Sequence, residues 1–233
     1  SPDKMTKTVL LRVPLRLGEE VFGTGSISGE KEKQLLRTVK AFRLLMKVYD
    51  VTAYRACATS AMRDASNGIQ IARKVHNKTG IRLEIINGLE EARMVYDSHI
   101  ADLLGREGHY IYVDVGGGST EVSVISNGKL IGSNSYNIGT VRSLGGMVKL
   151  DIESLNRDLA VLAADYPDLK IIGTGGNINK LYRLKGNKND NRLDVADLKA
   201  IYDELKALTV EERISAFRLN PDRADVIIPA AEI

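Results

Sequence analysis

Cysteine, histidine and long apolar runs are scarce in this chain of 233 residues. Cys57 is its only cysteine, which excludes an intramolecular disulfide and fits a reducing cytoplasm. It lies in an apolar stretch, so it reads as a small buried hydrophobe rather than a nucleophile. His76, His99 and His109 are the only histidines and are scattered, which argues against a His-based zinc site. No window is apolar for long enough to cross a bilayer, so no membrane role is expected. No charged-then-apolar leader opens the chain, and secretion is not expected either. The net charge of +3 is too mild to point to DNA, yet it poses no obstacle to a polyanionic ligand. Low-complexity segments and short-period repeats are missing as well.

What is present is organised around residues 110–128, YIYVDVGGGSTEVSVISNG. An apolar run (Ile111, Val113, Val115) carries one carboxylate, Asp114, and breaks into Gly116, Gly117 and Gly118. A second alternating run follows and ends in Asn127-Gly128, a hairpin signal because both turn residues must take positive φ. The glycines do not open a dinucleotide fold, since that fingerprint needs a helix next. Residues 120–125 instead alternate with period two and are rich in β-branched side chains. The expected geometry is strand, glycine loop, strand. Such a bend can aim backbone N–H groups at an anion, with Ser119 and Thr120 beside it and positive φ expected at Gly117. Asp114 at the strand end is placed to hold a hydrated divalent cation against the same phosphate. The alternative is a tight hairpin whose glycines serve only the turn.

The rest of the chain alternates strands and helices, which makes the class α/β. Residues 7–16 read as extended and 17–29 as a glycine-rich loop. Residues 29–49 form the clearest helix, with Leu35, Val39, Phe42 and Leu45 on one face. Residues 51–58 are expected as a short buried strand, with Arg63 just beyond its end, either at a ligand or on a plain surface loop. A helix over 67–77 closes near Gly80, and a strand follows at 81–86. Residues 88–104 are helical, with a buried stripe of Leu89, Ala92, Tyr96 and Leu103. Glu90 and Glu91 stand in its first turn, where the helix dipole favours carboxylates. They project about 100° apart, so at most one faces a given cleft. Beyond the hairpin come a strand at 129–136, a turn into a helix at Gly139 to Arg142, and a helix over 151–165. A buried strand at 169–172 then runs into a second glycine turn, GTGGNINKL, which opens a helix. That turn either offers N–H groups to an anion or is only a turn. Residues 185–192 read as a polar, solvated loop. Asp194 caps a helix to 208, Thr209 and Glu212 form a capping box, Pro221 starts a helical turn, and 224–233 is a buried apolar segment. A boundary near 105–108 gives two domains, 1–108 and 109–233.

Together these motifs carry a resemblance. VDVGGGSTEVSV is similar to the second phosphate loop of actin-like ATPases. With ATSAMRDASN (58–67), GLEEARMVY (88–96), IGTVR (138–142), GTGGNINKL (173–181) and RADVIIPAAEI (223–233), the chain resembles the exopolyphosphatase and guanosine pentaphosphate phosphohydrolase family. The resemblance implies two actin-like (ribonuclease H-like) domains around a cleft. It also implies Mg²⁺-dependent removal of a terminal phosphate from inorganic polyphosphate or pppGpp, by a homodimer. Carried over residue by residue, Glu91 is the catalytic glutamate and Asp114 the metal-associated carboxylate. Arg63, Gly116, Gly117, Gly118 and Ser119 contact phosphate, as do Gly173, Gly175 and Gly176 of the second turn. Glu121 and Arg142 are further candidates.

The family's first phosphate loop, of Asp-x-Gly-Ser-Asn-Ser type, has no counterpart here, so a fragment is expected. Two other functions compete. An actin-like kinase or ATPase would share the glycine hairpin but not the EEA and ATxAxR motifs. A non-catalytic polyphosphate- or alarmone-binding module would need no first loop.

Overall fold

The computed structural model describes residues 9–103, 107–146, 149–185 and 192–233, with the side chains of 98–103, 149 and 150 left aside. The chain is α/β, as its sequence pattern requires. Helix α1 (Leu17–Thr24) opens it, where a loop was expected. Its glycines lower helix propensity, but Val21 is buried and Gly25 closes the helix at φ 74°, so packing overrides propensity. Ser28 caps the long helix α2 (Gly29–Val48) by accepting from the Lys31 amide. Of its expected stripe, Leu35 and Val39 are buried and Leu45 is half-buried, whereas Phe42 is exposed.

Strand β1 (Ala56–Ala58) leads into α3 (Ser60–Asp64) and α4 (Gly68–Thr79), and β2 (Leu83–Ile85) pairs with β1 in parallel. The expected buried strand from 51 is thus only three residues long and half-buried, with Val51 and Tyr54 exposed. Among the described residues β1 has a single strand neighbour, so nothing continues the ladder through 51–55. Cys57 is likewise half-buried, with Sγ 3.9 Å from Met94 Sδ. Helices α1, α2 and α4 close over this pair of strands around Val21, Leu35, Val39, Ile71 and Val75.

Helix α5 (Gly88–Leu103) belongs in sequence to the first half, yet it packs on the second sheet. That sheet comprises β3 (His109–Val115), β4 (Thr120–Ser126), β5 (Lys129–Tyr136) and β6 (Lys170–Thr174), in the order β5-β4-β3-β6. The β4–β5 turn has Asn127 at φ 48° and Gly128 at φ 74°, as the Asn-Gly signal predicts. Alternation sorts the side chains by face. Ile111 and Val113 point to α7 (Lys149–Asp165), where Leu155, Leu159 and Leu162 meet them. Tyr110 and Tyr112 point to α5 and cluster with Tyr96 and Ile125.

In the α5 stripe, Ala92 and Tyr96 are buried but Leu89 is 58% exposed. The expected boundary at 105–108 and the loop 185–192 lie mostly outside the described residues, as do Lys7, the side chain of His99 and that of Leu103. Strand β6 is not the buried strand expected at 169–172. Among the described residues it is the sheet's edge, and Ile171 is 74% exposed.

Helix α6 (Thr140–Leu144) follows β5, and α8 (Gly176–Leu184) follows β6. The remaining helices are α9 (Val195–Lys206), α10 (Val210–Phe217), α11 (Pro221–Ala224) and α12 (Ile227–Glu232). They bury Leu181, Leu205, Ala224 and Ile227 together, a helical cluster that the pattern beyond 195 anticipates. Thr209 and Glu212 form the reciprocal capping box, and Pro221 starts α11. Asp194 is the N-cap of α9, although its side chain makes no cap hydrogen bond.

Candidate active site

Two periodicities bring the carboxylates together. Asp114 is an even-numbered residue of β3, on the α5 side with Tyr110 and Tyr112. Glu121 lies directly opposite it in the antiparallel ladder and so shares that face. Helix α5 lies over this face, and its first turn carries Glu90 and Glu91. Gly88 makes the approach feasible, since a Cβ there would collide with the Ser135 side chain on β5.

The two adjacent glutamates part as the helical rotation requires. Glu90 turns outward to Arg55, which also bonds Glu84. Glu91 turns inward, its side chain only 20% exposed and Oε2 at 3.6 Å from Arg63 Nη1. That separation is beyond hydrogen-bond reach, and Oε2 is a buried oxygen with no hydrogen-bond partner among the described residues. Burial raises the Glu91 carboxyl above its ordinary range, Arg63 and Thr59 pull it back, and Asp114 adds to the rise. Glu121 is 4% exposed and is pushed up to about 7. Burial is the main cause, followed by the charge of Glu91, and the hydroxyls of Ser119 and Ser135 oppose it. Ser135 Oγ donates to Glu121 Oε1 at 2.8 Å.

Arg63 sits on α3, one short turn beyond β1, and Nη1 donates to the Ile86 carbonyl at 2.9 Å. From there it faces Glu91. Among the described residues no group of three or more His, Cys, Asp or Glu is arranged to hold a metal ion. A cation here would therefore rest on one or two carboxylates with water and phosphate oxygens completing its shell, which is how Mg²⁺ prefers to bind.

The glycine loop is held from behind. Gly116 N–H donates to the Ser119 carbonyl, closing the bend. The Gly116 carbonyl accepts from Thr140 N–H at 3.0 Å, and that of Gly117 accepts from Val141 N–H at 2.8 Å and from Arg142 N–H at 3.1 Å. Arg142 Nε donates to the Gly118 carbonyl at 2.8 Å. Positive φ, expected at Gly117, does not occur at any of the three loop glycines. What demands glycine is close approach: a Cβ on Gly118 would enter the Phe22 ring and Ser60 Oγ, while one on Gly117 would make ordinary contact with Val141. Ser119 is buried with its hydroxyl toward Glu121, so only its backbone can face an anion.

The second turn is built differently. Gly175 has φ 93° and ψ 175°, and a Cβ there would press on Asp114 Oδ1. Gly173 packs on Ile178, and the Gly176 carbonyl accepts from Arg223 Nη1. The turn's N-terminal helix end thus lies beside the Asp114 carboxylate.

Sequence reasoning missed Gly139, where a Cβ would strike the backbone of Gly117 and Gly118. It also missed Phe22, Ser60, Asp64, Ser135 and Arg223. The motif IGTVR contains Gly139, ATSAMRDASN contains Ser60 and Asp64, and RADVIIPAAEI opens with Arg223, but none of them singles these residues out, and Phe22 and Ser135 carry no local signal.

A family model described as the Ppx/GppA phosphatase family matches residues 3–233. Exopolyphosphatase 1 of Mycobacterium leprae is 25% identical over 99% of this chain and 73% of its own length. A guanosine-5'-triphosphate,3'-diphosphate pyrophosphatase of Aliivibrio fischeri is also 25% identical, over 84% of this chain and 44% of its own. Among solved structures, the Aquifex aeolicus member of the Ppx/GppA family superposes with a TM-score of 0.70 at 26% identity. That superposition covers 93% of this chain and 76% of the other, and it bears out the fold class read from the sequence.

Proposed function

This chain belongs to the Ppx/GppA phosphatase family, and from that premise we propose that it hydrolyses the terminal phosphoanhydride of inorganic polyphosphate or pppGpp, with Glu91 as the base. The observation that carries this reading is the Glu91 carboxylate. One of its oxygens is buried without a hydrogen-bond partner among the described residues, beside Arg63 and within the fields of Asp114 and Glu121. A carboxylate oxygen so placed is short of a donor, and a water molecule supplies one.

Phosphoanhydride hydrolysis asks for positioning and charge neutralisation more than for covalent help. In this reading Arg63 and the loop amides at Gly117, Gly118 and Ser119 hold the terminal phosphoryl group. The second turn, Gly173, Gly175 and Gly176, borders the chain of phosphates. Glu91 orients a water and takes its proton as the oxygen bonds to phosphorus and the bridging P–O bond breaks. The carboxyl raised by burial is a better base than an exposed one. Asp114 would hold a divalent cation, Mg²⁺ by the preference for one or two carboxylates plus phosphate oxygens, and the ion would neutralise charge on the phosphates. Glu121, pushed up to about 7, is the carboxyl that most readily carries a proton in this cluster. The division into lobes 1–108 and 109–233, a cytoplasmic setting and a homodimer complete the reading. Among the described residues no helix is long and apolar enough to cross a membrane.

Phosphate release from polyphosphate, pppGpp and ATP, each with and without Mg²⁺, tests the proposal in the full-length protein. Release from polyphosphate or pppGpp that ceases with a chelator is expected. Turnover of ATP alone would indicate a kinase-like ATPase, and binding without release would indicate a binding module.

A further inference from the structure

Arg142 lies in the second half of the chain, but its guanidinium reaches three places at once. Nε donates to the Gly118 carbonyl at 2.8 Å, Nη2 pairs with Asp64 Oδ2 at 2.5 Å, and Cζ stacks 4.0 Å from the centre of the Phe22 ring. Its side chain is 13% exposed. Asp64 ends α3, next to Arg63, and Phe22 belongs to α1. One side chain therefore joins the glycine loop to both elements of the first half that pack on Gly118.

The hydrogen bonds behind the loop have a geometric consequence. Three successive carbonyls, of Gly116, Gly117 and Gly118, are all taken by α6: by its first amides and by Arg142. Cis peptide bonds are absent among the described residues, and in a planar trans peptide the N–H points opposite to the carbonyl. With the three carbonyls drawn toward α6, the N–H groups of Gly117, Gly118 and Ser119 are turned to its far side. The backbone amides of α6 fix the first two peptide planes. The third, Gly118–Ser119, is fixed by Arg142 alone among the donors described.

We propose that Arg142 is a positioning residue that sets the amide face of the glycine loop and ties it, through Asp64, to the helix bearing Arg63. It touches no reacting atom. Its role rests on reading residues 116–119 as the phosphate loop, and it explains how the loop and Arg63 keep one spacing although they come from different halves of the chain. A lysine cannot replace it fully, because one ammonium on a flexible stem lacks the planar fork that serves Gly118 and Asp64 together.

The test uses Arg142→Gln, Arg142→Lys and Asp64→Asn in the full-length protein, with two readouts. Turnover of polyphosphate and pppGpp should fall about 10- to 100-fold in kcat for Arg142→Gln, the scale of a small misplacement of catalytic groups. Arg142→Lys should recover part of that loss. Asp64→Asn, which leaves the Gly118 bond in place, should lose less than Arg142→Gln. Amide hydrogen exchange reads the clamp without turnover: Arg142→Gln should accelerate exchange at Ser119 while the β3–β4 ladder stays protected. Unchanged exchange at that amide overturns the proposal, as does uniform acceleration across the sheet, which would make Arg142 merely structural. If the wild type releases phosphate from neither substrate, the proposed function falls, and the exchange contrast still decides the clamp.

Discussion

Two glycine turns flank Asp114, and they use glycine for different reasons. The turn at 116–119 has no positive φ, and glycine is needed at Gly118 because Phe22 and Ser60 crowd against it. The turn at 173–176 is crowded as well, by Ile178, Asp114 and Arg223, but there Gly175 also adopts a conformation that side chains avoid, close against Asp114. In the first, glycine admits neighbours from the other half of the chain. In the second, it admits a backbone shape. A run of glycines after a strand thus reports close quarters as readily as it reports an unusual φ.

The sharpest way to break this contrast is within the first turn. Gly118→Ala should lower kcat/KM about 10- to 100-fold, because the new methyl displaces Phe22 or shifts the loop. Gly117→Ala, with only Val141 in ordinary contact, should change kcat/KM little. Steady-state kinetics on both variants checks the pair, and equal losses would mean that φ, not crowding, governs the loop.

A second effect follows from the hydroxyl that the first turn turns inward to Glu121. The Glu121 carboxyl is pushed up to about 7 from its ordinary 4.5, so the folded state binds the extra proton and wild-type stability falls as pH rises between those values. Glu121→Gln removes the charge and keeps one oxygen that can accept from Ser119 or Ser135. Denaturant unfolding at pH 8 should therefore show the variant more stable, by up to about 3 kcal/mol at roughly 1.4 kcal/mol per unit. The advantage should vanish below pH 4.5. A variant less stable at pH 8 would mean that Glu121 is ionised and held by partners. The smallest effect belongs to the second turn. Gly175→Ala should cost about 1–3 kcal/mol through its φ, with the contact to Asp114 Oδ1 disturbed as well.

Much of the architecture was legible in the sequence because it is local. Alternation over 110–126, the Asn-Gly turn, the α2 stripe and the Thr209–Glu212 capping box each encode their own geometry. Helix α1 was not legible: Gly18, Gly23 and Gly25 dilute its propensity, and it is held by Val21 and Phe22 packing on residues far along the chain. The edge position of β6 also escaped the pattern, since an apolar triplet reads the same in a sheet's middle and at its margin. At the site, Glu91, Asp114 and Arg63 stood out by motif. The opposite facing of Glu90 and Glu91 was also legible, from the EEA motif and the rotation per residue of a helix, and α5 shows it. Phe22, Ser60 and Asp64 needed the fold itself, because their contacts span up to about a hundred residues of sequence.

The central claim is that Glu91 and not its neighbour supplies the base. Kinetics and binding measured separately on Glu91→Gln and Glu90→Gln in the full-length protein test it most directly. Glu91→Gln keeps the shape of the side chain and should cut kcat by about 10²–10⁴-fold, the range for loss of a general base. Phosphate binding should survive, since Arg63 and the loop amides are untouched. Glu90→Gln gives up only an exposed ion pair with Arg55, of the kind that contributes roughly 0–1 kcal/mol, and should turn over nearly as the wild type does. Equal losses in the two variants, or a loss of binding without a loss of turnover in Glu91→Gln, would contradict the account.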